Sequence, residues 1–229
     1  MIKYIGQSIK MTDQLYFKFP SNKIYLKEDF YVSPSNQEAY DFINKWPKWL
    51  KRIVNIFGPA GSGKTHLVSI FKEKTSTLIV NPNELNDELF TKFKIKEALV
   101  VENLNEKIPE NILFSICNAA LQDNKYILIT SIKPLNSYKF KLPDLKSRID
   151  SGAFIGINLP SDDLISVIIA KSFSDKQIRI EKKHIDYIVK RIDRSYEKIA
   201  QFISTLEKYS LKKGSSFNFK LIKEVINMI

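Results

Sequence analysis

Gly58-Pro59-Ala60-Gly61-Ser62-Gly63-Lys64-Thr65 meets the phosphate-loop pattern G-x-x-x-x-G-K-[ST] at every fixed position, and it constrains the fold more than any other stretch. The preceding run, Ile53-Val54-Asn55-Ile56-Phe57, reads as a buried strand, and Leu67, Ile70 and Phe71 after the pattern recur at helical spacing. Strand, glycine loop and helix are the context in which this pattern has a physical meaning. Glycines let backbone N–H groups curl around a phosphate, and the helix N-terminus adds its dipole to the cradle. Lys64 is then expected at the β- and γ-phosphates, and the Thr65 hydroxyl on Mg²⁺. The expected ligand is a nucleoside di- or triphosphate.

Strand-length apolar runs recur at Ile53–Phe57, Thr77–Val80, Ala98–Val101, Tyr126–Thr130 and Phe154–Leu159, with segments of helical spacing such as Glu110–Leu121 between them. Such alternation predicts an α/β fold, a parallel five-stranded sheet with helices on both faces. After Pro160 the pattern becomes helical throughout. Ile185, Ile188, Val189 and Ile192 fall at i, i+3, i+4 and i+7, and the same spacing recurs at Ile199, Phe202, Ile203 and Leu206. A third copy runs through Ile222, Val225, Ile226 and Ile229. A small all-helical unit is therefore expected over residues 161–229, with its last loop at Lys212–Ser216, following an α/β unit over residues 23–160.

The single cysteine, Cys117, lies among Ile112, Leu113, Ile116 and Ala120 and reads as a buried thiol; one Cys and two His give no zinc-ligand spacing. The N-terminus lacks the apolar core of a signal peptide, and the longest apolar run, Leu164–Ala170, is too short to span a bilayer. A soluble, cytoplasmic protein without membrane association is expected. The net charge of +11 comes almost wholly from lysine, since only five of the 36 basic residues are arginine. Nucleic-acid affinity and AT-rich coding both account for that balance. Arginine scarcity makes each guanidinium less likely to be generic solubilising charge.

A phosphate-loop sheet followed by a helical lid is the layout of AAA+ ATPases. Asp29–Asn36, Trp46-Pro47-Lys48-Trp49, the glycine loop and Leu142–Arg148 together resemble the Hda family, and its alphaproteobacterial members most. These are homologues of the replication initiator DnaA that switch the initiator off. The resemblance implies ADP or ATP with Mg²⁺ as cofactors, and nucleotide contacts at Gly58, Pro59, Ala60, Gly61, Ser62, Gly63, Lys64, Thr65 and His66. It also implies an adenine-side segment with Phe30, Val32 and Asn36, for which an ordinary strand-to-helix connection is the plain alternative. Glu102 takes the Walker B place and would help hold Mg²⁺. Asn103 departs from the family pattern, because an amide cannot accept the proton that a carboxylate accepts, so weak or absent intrinsic hydrolysis is expected. Ser131 falls near the sensor 1 position.

Arg148 matches the family's arginine finger, which would complete a nucleotide site on a neighbouring subunit; a surface ion pair is the plain alternative. Arg194 resembles sensor 2, reaching from the lid to the phosphates, and a helix-start contact with Asp193 is its plain alternative. Gln14-Leu15-Tyr16-Phe17-Lys18-Phe19-Pro20 resembles the family's clamp-binding peptide, within an N-terminal segment over residues 1–22. In an extended peptide Leu15, Phe17 and Phe19 project to one side, and the Gln14 amide suits a polar rim; an aromatic strand closing the chain's own core would look the same. The implied partners are the initiator DnaA and the DNA polymerase sliding clamp, with any DNA contact indirect and homo-oligomers compatible with the layout. An initiator proper would continue into a helix-turn-helix DNA-binding domain, whereas the chain ends at Ile229. A self-sufficient motor or helicase loader needs the acid that Asn103 replaces.

Overall fold

Five strands pair in parallel in the order β2-β3-β4-β1-β5, where β1 is Ile53–Phe57, β2 Thr77–Val80, β3 Ala98–Leu104, β4 Tyr126–Ser131 and β5 Ala153–Gly156. The computed structural model describes residues 27–175, 178, 180–213 and 218–229. Helices α1 (Gln37–Asn44), α2 (Lys64–Lys72), α3 (Glu88–Lys94), α4 (Glu110–Gln122) and α5 (Pro143–Asp150) cover the sheet. Side chains alternate across it with the two-residue period of a strand. Leu99, Val101, Ile127 and Ile129 face α3, α4 and α5, in a core with Leu89, Leu113, Ile116 and Leu145. Val54, Ile56, Val100 and Leu128 face the other way, packed with Ile43, Leu67, Ile70 and Phe71 of α1 and α2. Both faces are thus apolar, which is why these strands read as continuous hydrophobic runs.

One polar residue interrupts β1. Asn55 is buried, and its amide donates to the Ile129 carbonyl at 3.0 Å and to Ser131 Oγ at 2.9 Å. Its Oδ1 accepts from the Leu135 backbone N–H at 3.0 Å. These bonds fasten the end of β4 and the loop after it beside the glycine loop, at the C-terminal end of the strands.

Cys117 is buried on α4 within the first core, and burial pushes its thiol up to about 12. The intact protein is therefore expected to resist iodoacetamide at mildly alkaline pH, and the denatured chain to react fully, as mass spectrometry of the labelled protein would show. Rapid labelling under native conditions would mean that α4 opens locally.

Three strands differ from the sequence pattern, β4 only in running one residue further, to Ser131. β3 runs on to Leu104 through a register irregularity between Val101 and Leu104. β5 spans Ala153–Gly156 rather than Phe154–Leu159, because its partner β1 ends at Phe57. Past that point Ile157 N–H still reaches the Phe57 carbonyl at 2.7 Å, and Asn158 N–H turns away to the Ser35 carbonyl at 2.9 Å.

From Asp162 onward the described residues form helices α6 (Asp162–Ser174), α7 (Lys182–Val189), α8 (Tyr196–Lys213) and α9 (Phe219–Ile226). Ser161 caps the first of them, its Oγ accepting from Leu164 N–H at 3.3 Å. These helices close around a cluster of their own, with Ile165, Ile169, Phe173, Ile188, Phe202, Leu206, Ile222 and Val225 buried. The loop expected at Lys212–Ser216 is corrected at its first two residues, which belong to helix α8. Helix α8 continues through Lys213, as befits a good helix former, and residues 214–217 lie outside the described set. Among the described residues no helix is long and apolar enough to cross a membrane.

Candidate functional site

The end of β1 turns directly into the glycine loop. Gly58 N–H donates to the Ser131 carbonyl at 3.1 Å, and a Cβ at position 58 would stand 2.8 Å from the Ile157 carbonyl oxygen, so no side chain fits there. Gly63 caps α2 with φ of 92°, a left-handed conformation that costs other residues free energy. The loop thus delivers the N-terminus of a nine-residue helix to the C-terminal end of the strands. Lys64 is 6% exposed, and its ammonium donates to the Gly58 and Pro59 carbonyls, both at 2.8 Å. Burial lowers its pKa from the ordinary lysine value. The ammonium is therefore drawn over the loop, where a phosphate would be cradled.

Two buried polar atoms in this part of the molecule have no hydrogen-bond partner among the described residues, Ser62 Oγ and Glu102 Oε1. An unsatisfied buried polar atom is costly, and such atoms mark places where a ligand completes the bonding. A hydroxyl in the loop and a carboxylate oxygen near the end of β3 fit a phosphate with a divalent cation. Thr65 and Glu102 would hold that cation. No group of three His, Cys, Asp or Glu side chains converges among the described residues, so most of its oxygens would come from phosphate and water.

Asn103 follows Glu102 with φ of 56°, its N–H donating to Thr130 Oγ1 at 2.8 Å and its side chain exposed. The amide can orient water but cannot take its proton. Asn103→Asp is therefore expected to raise nucleotide hydrolysis by the isolated protein, and the unaltered chain to stay well below about 1 s⁻¹, the low end of typical enzymes. Steady-state phosphate release checks both. Brisk hydrolysis by the unaltered chain would favour a motor.

Ser131 is fully buried, donating to the Lys133 carbonyl at 2.6 Å and accepting from Asn55. Its hydroxyl is occupied in bracing the loop after β4, and the next residue, Ile132, is 63% exposed and apolar. Asn36 is similarly engaged. Its Oδ1 accepts from Ser33 N–H at 2.8 Å and its amide donates to the Tyr31 carbonyl at 3.0 Å, closing the turn before α1. Val32 is half-buried in that turn. Phe30 stacks on Tyr40 at 5.5 Å and meets His66 edge-on at 5.1 Å. Its ring would lie 3.1 Å from a Cβ on Gly63, so Phe30 braces the loop itself.

The two site arginines behave differently. Arg194 forks onto Asp162, Nε to Oδ1 at 3.0 Å and Nη2 to Oδ2 at 3.1 Å, with its side chain 66% exposed. It pairs neither with Asp193 nor with the loop. From the helical part Tyr196 reaches the loop, its Cβ 3.2 Å from where a Cβ on Gly61 would stand. Nothing in the helical spacing distinguished Tyr196 beforehand. Arg148 lies exposed in the last turn of α5, its Nε donating to Asn118 Oδ1 on α4 at 2.9 Å. Gly152, just after α5, approaches both Ile149 and Ile53, the first residue of β1, with carbonyls 3.0 and 2.8 Å from an added Cβ. The end of α5 therefore sits at the start of β1, whereas the glycine loop leaves its end, about 16 Å away along five residues. Gln14, Leu15, Phe17 and Phe19 lie outside the described residues.

No family model matches the chain. It is 25% identical over 260 residues to the chromosomal replication initiator protein DnaA of Borreliella afzelii (strain PKo), a match covering 97% of this chain and 53% of that protein. Domain III of the Thermotoga maritima replication initiation protein DnaA superposes with a TM-score of 0.72 at 17% identity, covering 89% of this chain and 95% of that one. AMPPCP-bound DnaA from Aquifex aeolicus gives a TM-score of 0.66 at 20% identity, covering 84% of this chain and 67% of that one. The chain spans about half the length of the curated relatives it matches. The fold is that of DnaA domain III, a phosphate-loop sheet with a helical unit, and the sequence is similar to DnaA at 25% identity over 97% of its length.

Proposed function

We propose that this chain is a DnaA-related regulator of replication initiation that binds ADP or ATP at Gly58–Thr65 and acts on the initiator's nucleotide through Arg148. The observation that carries the reading is the division between the two ends of the sheet's strands. The C-terminal end holds the glycine loop with its buried lysine and two unpartnered oxygens; the N-terminal end holds an exposed arginine a strand length away. A guanidinium so far from its own loop suits work on a neighbour's phosphates, with its planar fork matched to two oxygens. When bound, Mg²⁺ would offset phosphate charge, with Thr65 and Glu102 as its protein ligands. Residues 14–19 would tether the chain to the sliding clamp, bringing Arg148 to the initiator at replicating DNA. The chain completes its partner's site, and the partner performs the hydrolysis.

A second reading, an initiator-type AAA+ module or a helicase loader acting on DNA, is favoured by one observation: the relatives described above are DnaA initiators themselves. Retention on immobilised clamp separates the two. The regulator is expected to be retained, and Gln14→Ala with Phe17→Ala to lose retention while nucleotide binding persists. No retention of the unaltered chain would favour the initiator-type reading.

A further inference from the structure

Both glycines of the loop with positive φ press on an aromatic residue from another part of the chain. A Cβ on Gly63 would stand 3.1 Å from the Phe30 ring, and one on Gly61, where φ is 78°, would stand 3.2 Å from Tyr196 Cβ. Tyr196 opens α8 and is 6% exposed. Its hydroxyl donates to the Asn158 carbonyl at 3.2 Å, in the linker between β5 and α6. Asn158 N–H in turn donates to the Ser35 carbonyl at 2.9 Å. Ser35 Oγ meets Ser33 Oγ at 2.7 Å, within the turn that Asn36 closes behind Phe30. One side chain therefore ties the helical lid to the tip of the loop, to the linker, and through the linker to the turn after Phe30. Its phenol is protonated at neutral pH, as any ordinary tyrosine is, and burial raises its pKa further.

We propose that Tyr196 is the positioning residue of the nucleotide site: it latches the lid onto Gly61 and Asn158, and nucleotide release requires that latch to open. The inference rests on reading Gly58–Thr65 as the nucleotide site. Its physics is preorganisation. Glycine loses more conformational freedom on ordering than any other residue, so a loop held at positive φ before the ligand arrives has less to lose on binding. A latch of this kind acts on the bound state's lifetime. Tyrosine also differs from an arginine in what it detects. An uncharged side chain on the loop's backbone gains nothing from a third phosphate, so the latch should slow ADP and ATP release alike. An arginine on the phosphates would favour the more highly charged nucleotide.

Stopped-flow displacement of mant-ADP and mant-ATP with Mg²⁺, on the full chain, tests this. Tyr196→Ala is expected to speed release of both by at least tenfold, by the same factor, with association changed by less than about threefold. Tyr196→Phe keeps the contact with Gly61 and loses only the bond to Asn158, so a partial effect of a few-fold is expected. Leu206→Ala, a fully buried position in the lid core, serves as the control for lid destabilisation. If that variant, with a comparable drop in melting temperature, releases nucleotide as fast as Tyr196→Ala, the latch is overturned. It is overturned equally if both Tyr196 variants release at the unaltered rate, or if only mant-ATP release changes. Should Tyr196→Ala not fold, Tyr196→Phe against Leu206→Ala decides by the same comparison. Failure of the underlying reading looks different: the unaltered chain would not bind mant-nucleotide, or Lys64→Ala would bind it equally well.

Discussion

Lys64→Ala is expected to weaken ADP binding at least tenfold, a loss of about 1.4 kcal/mol or more. Two effects add. The substitution removes the ammonium that would meet the β-phosphate, and it takes a donor from the Gly58 carbonyl and from the Pro59 carbonyl, which keeps only the Ser62 N–H. Losing a buried donor costs about 1–3 kcal/mol in its own right, so the loop itself should relax. The pH dependence has a definite sign. Burial lowers the Lys64 pKa below the ordinary lysine value, so the amine loses its proton before surface lysines do. Affinity for nucleotide should therefore fall as pH rises through that lowered pKa, and the alanine variant should lack this dependence. Calorimetry with ADP and Mg²⁺ across pH measures both. Equal affinity in the two proteins would remove Gly58–Thr65 from the nucleotide site.

Much of this fold was legible because the strands are buried on both faces and therefore appear as unbroken apolar runs. Val54, Val100 and Leu128 pack on α1 and α2 while Leu99, Ile127 and Ile129 pack on the opposite helices, leaving no polar stripe to confuse the pattern. The glycine loop was legible for a different reason: position 58 has no room for a side chain and positions 61 and 63 need positive φ, so these glycines stand in the sequence. Strand ends were less clear. Ile157 is apolar and buried, but β1 has ended by then, and the loss of a pairing partner leaves no mark on the residues themselves.

The candidate site was legible in part, and the shortfall is one of long-range placement. Asn36 and Ser131 sit where the resemblance put nucleotide-sensing groups, yet their hydrogen bonds are taken by their own turns. Arg194 is two residues from Tyr196, and only the packing of α8 decides which of them meets the loop. A one-dimensional spacing rule cannot make that choice. Asp162, which captures Arg194, is 32 residues away in the chain.

Arg148→Ala carries the other large expected effect. An arginine finger contributes roughly 10³–10⁵ in rate where it acts, because its charge meets the negative charge that builds on the transferring phosphoryl group. Arg148 is exposed, and its guanidinium bonds to Asn118 on the same surface, so its removal should leave the fold intact. This chain's own ADP affinity should be unchanged, since the arginine stands at the opposite end of the strands from its own loop. Lysine should rescue poorly, because a point charge lacks the planar fork that meets two oxygens at once.

The most direct measurement is single-turnover hydrolysis of ATP pre-bound to the initiator DnaA, with DNA-loaded sliding clamp and this protein added. The unaltered chain is expected to accelerate hydrolysis strongly, Arg148→Lys weakly, and Arg148→Ala hardly at all, with ADP affinity and clamp retention equal in all three. Full acceleration by Arg148→Ala, or none by the unaltered chain, would contradict a regulator that works through its arginine.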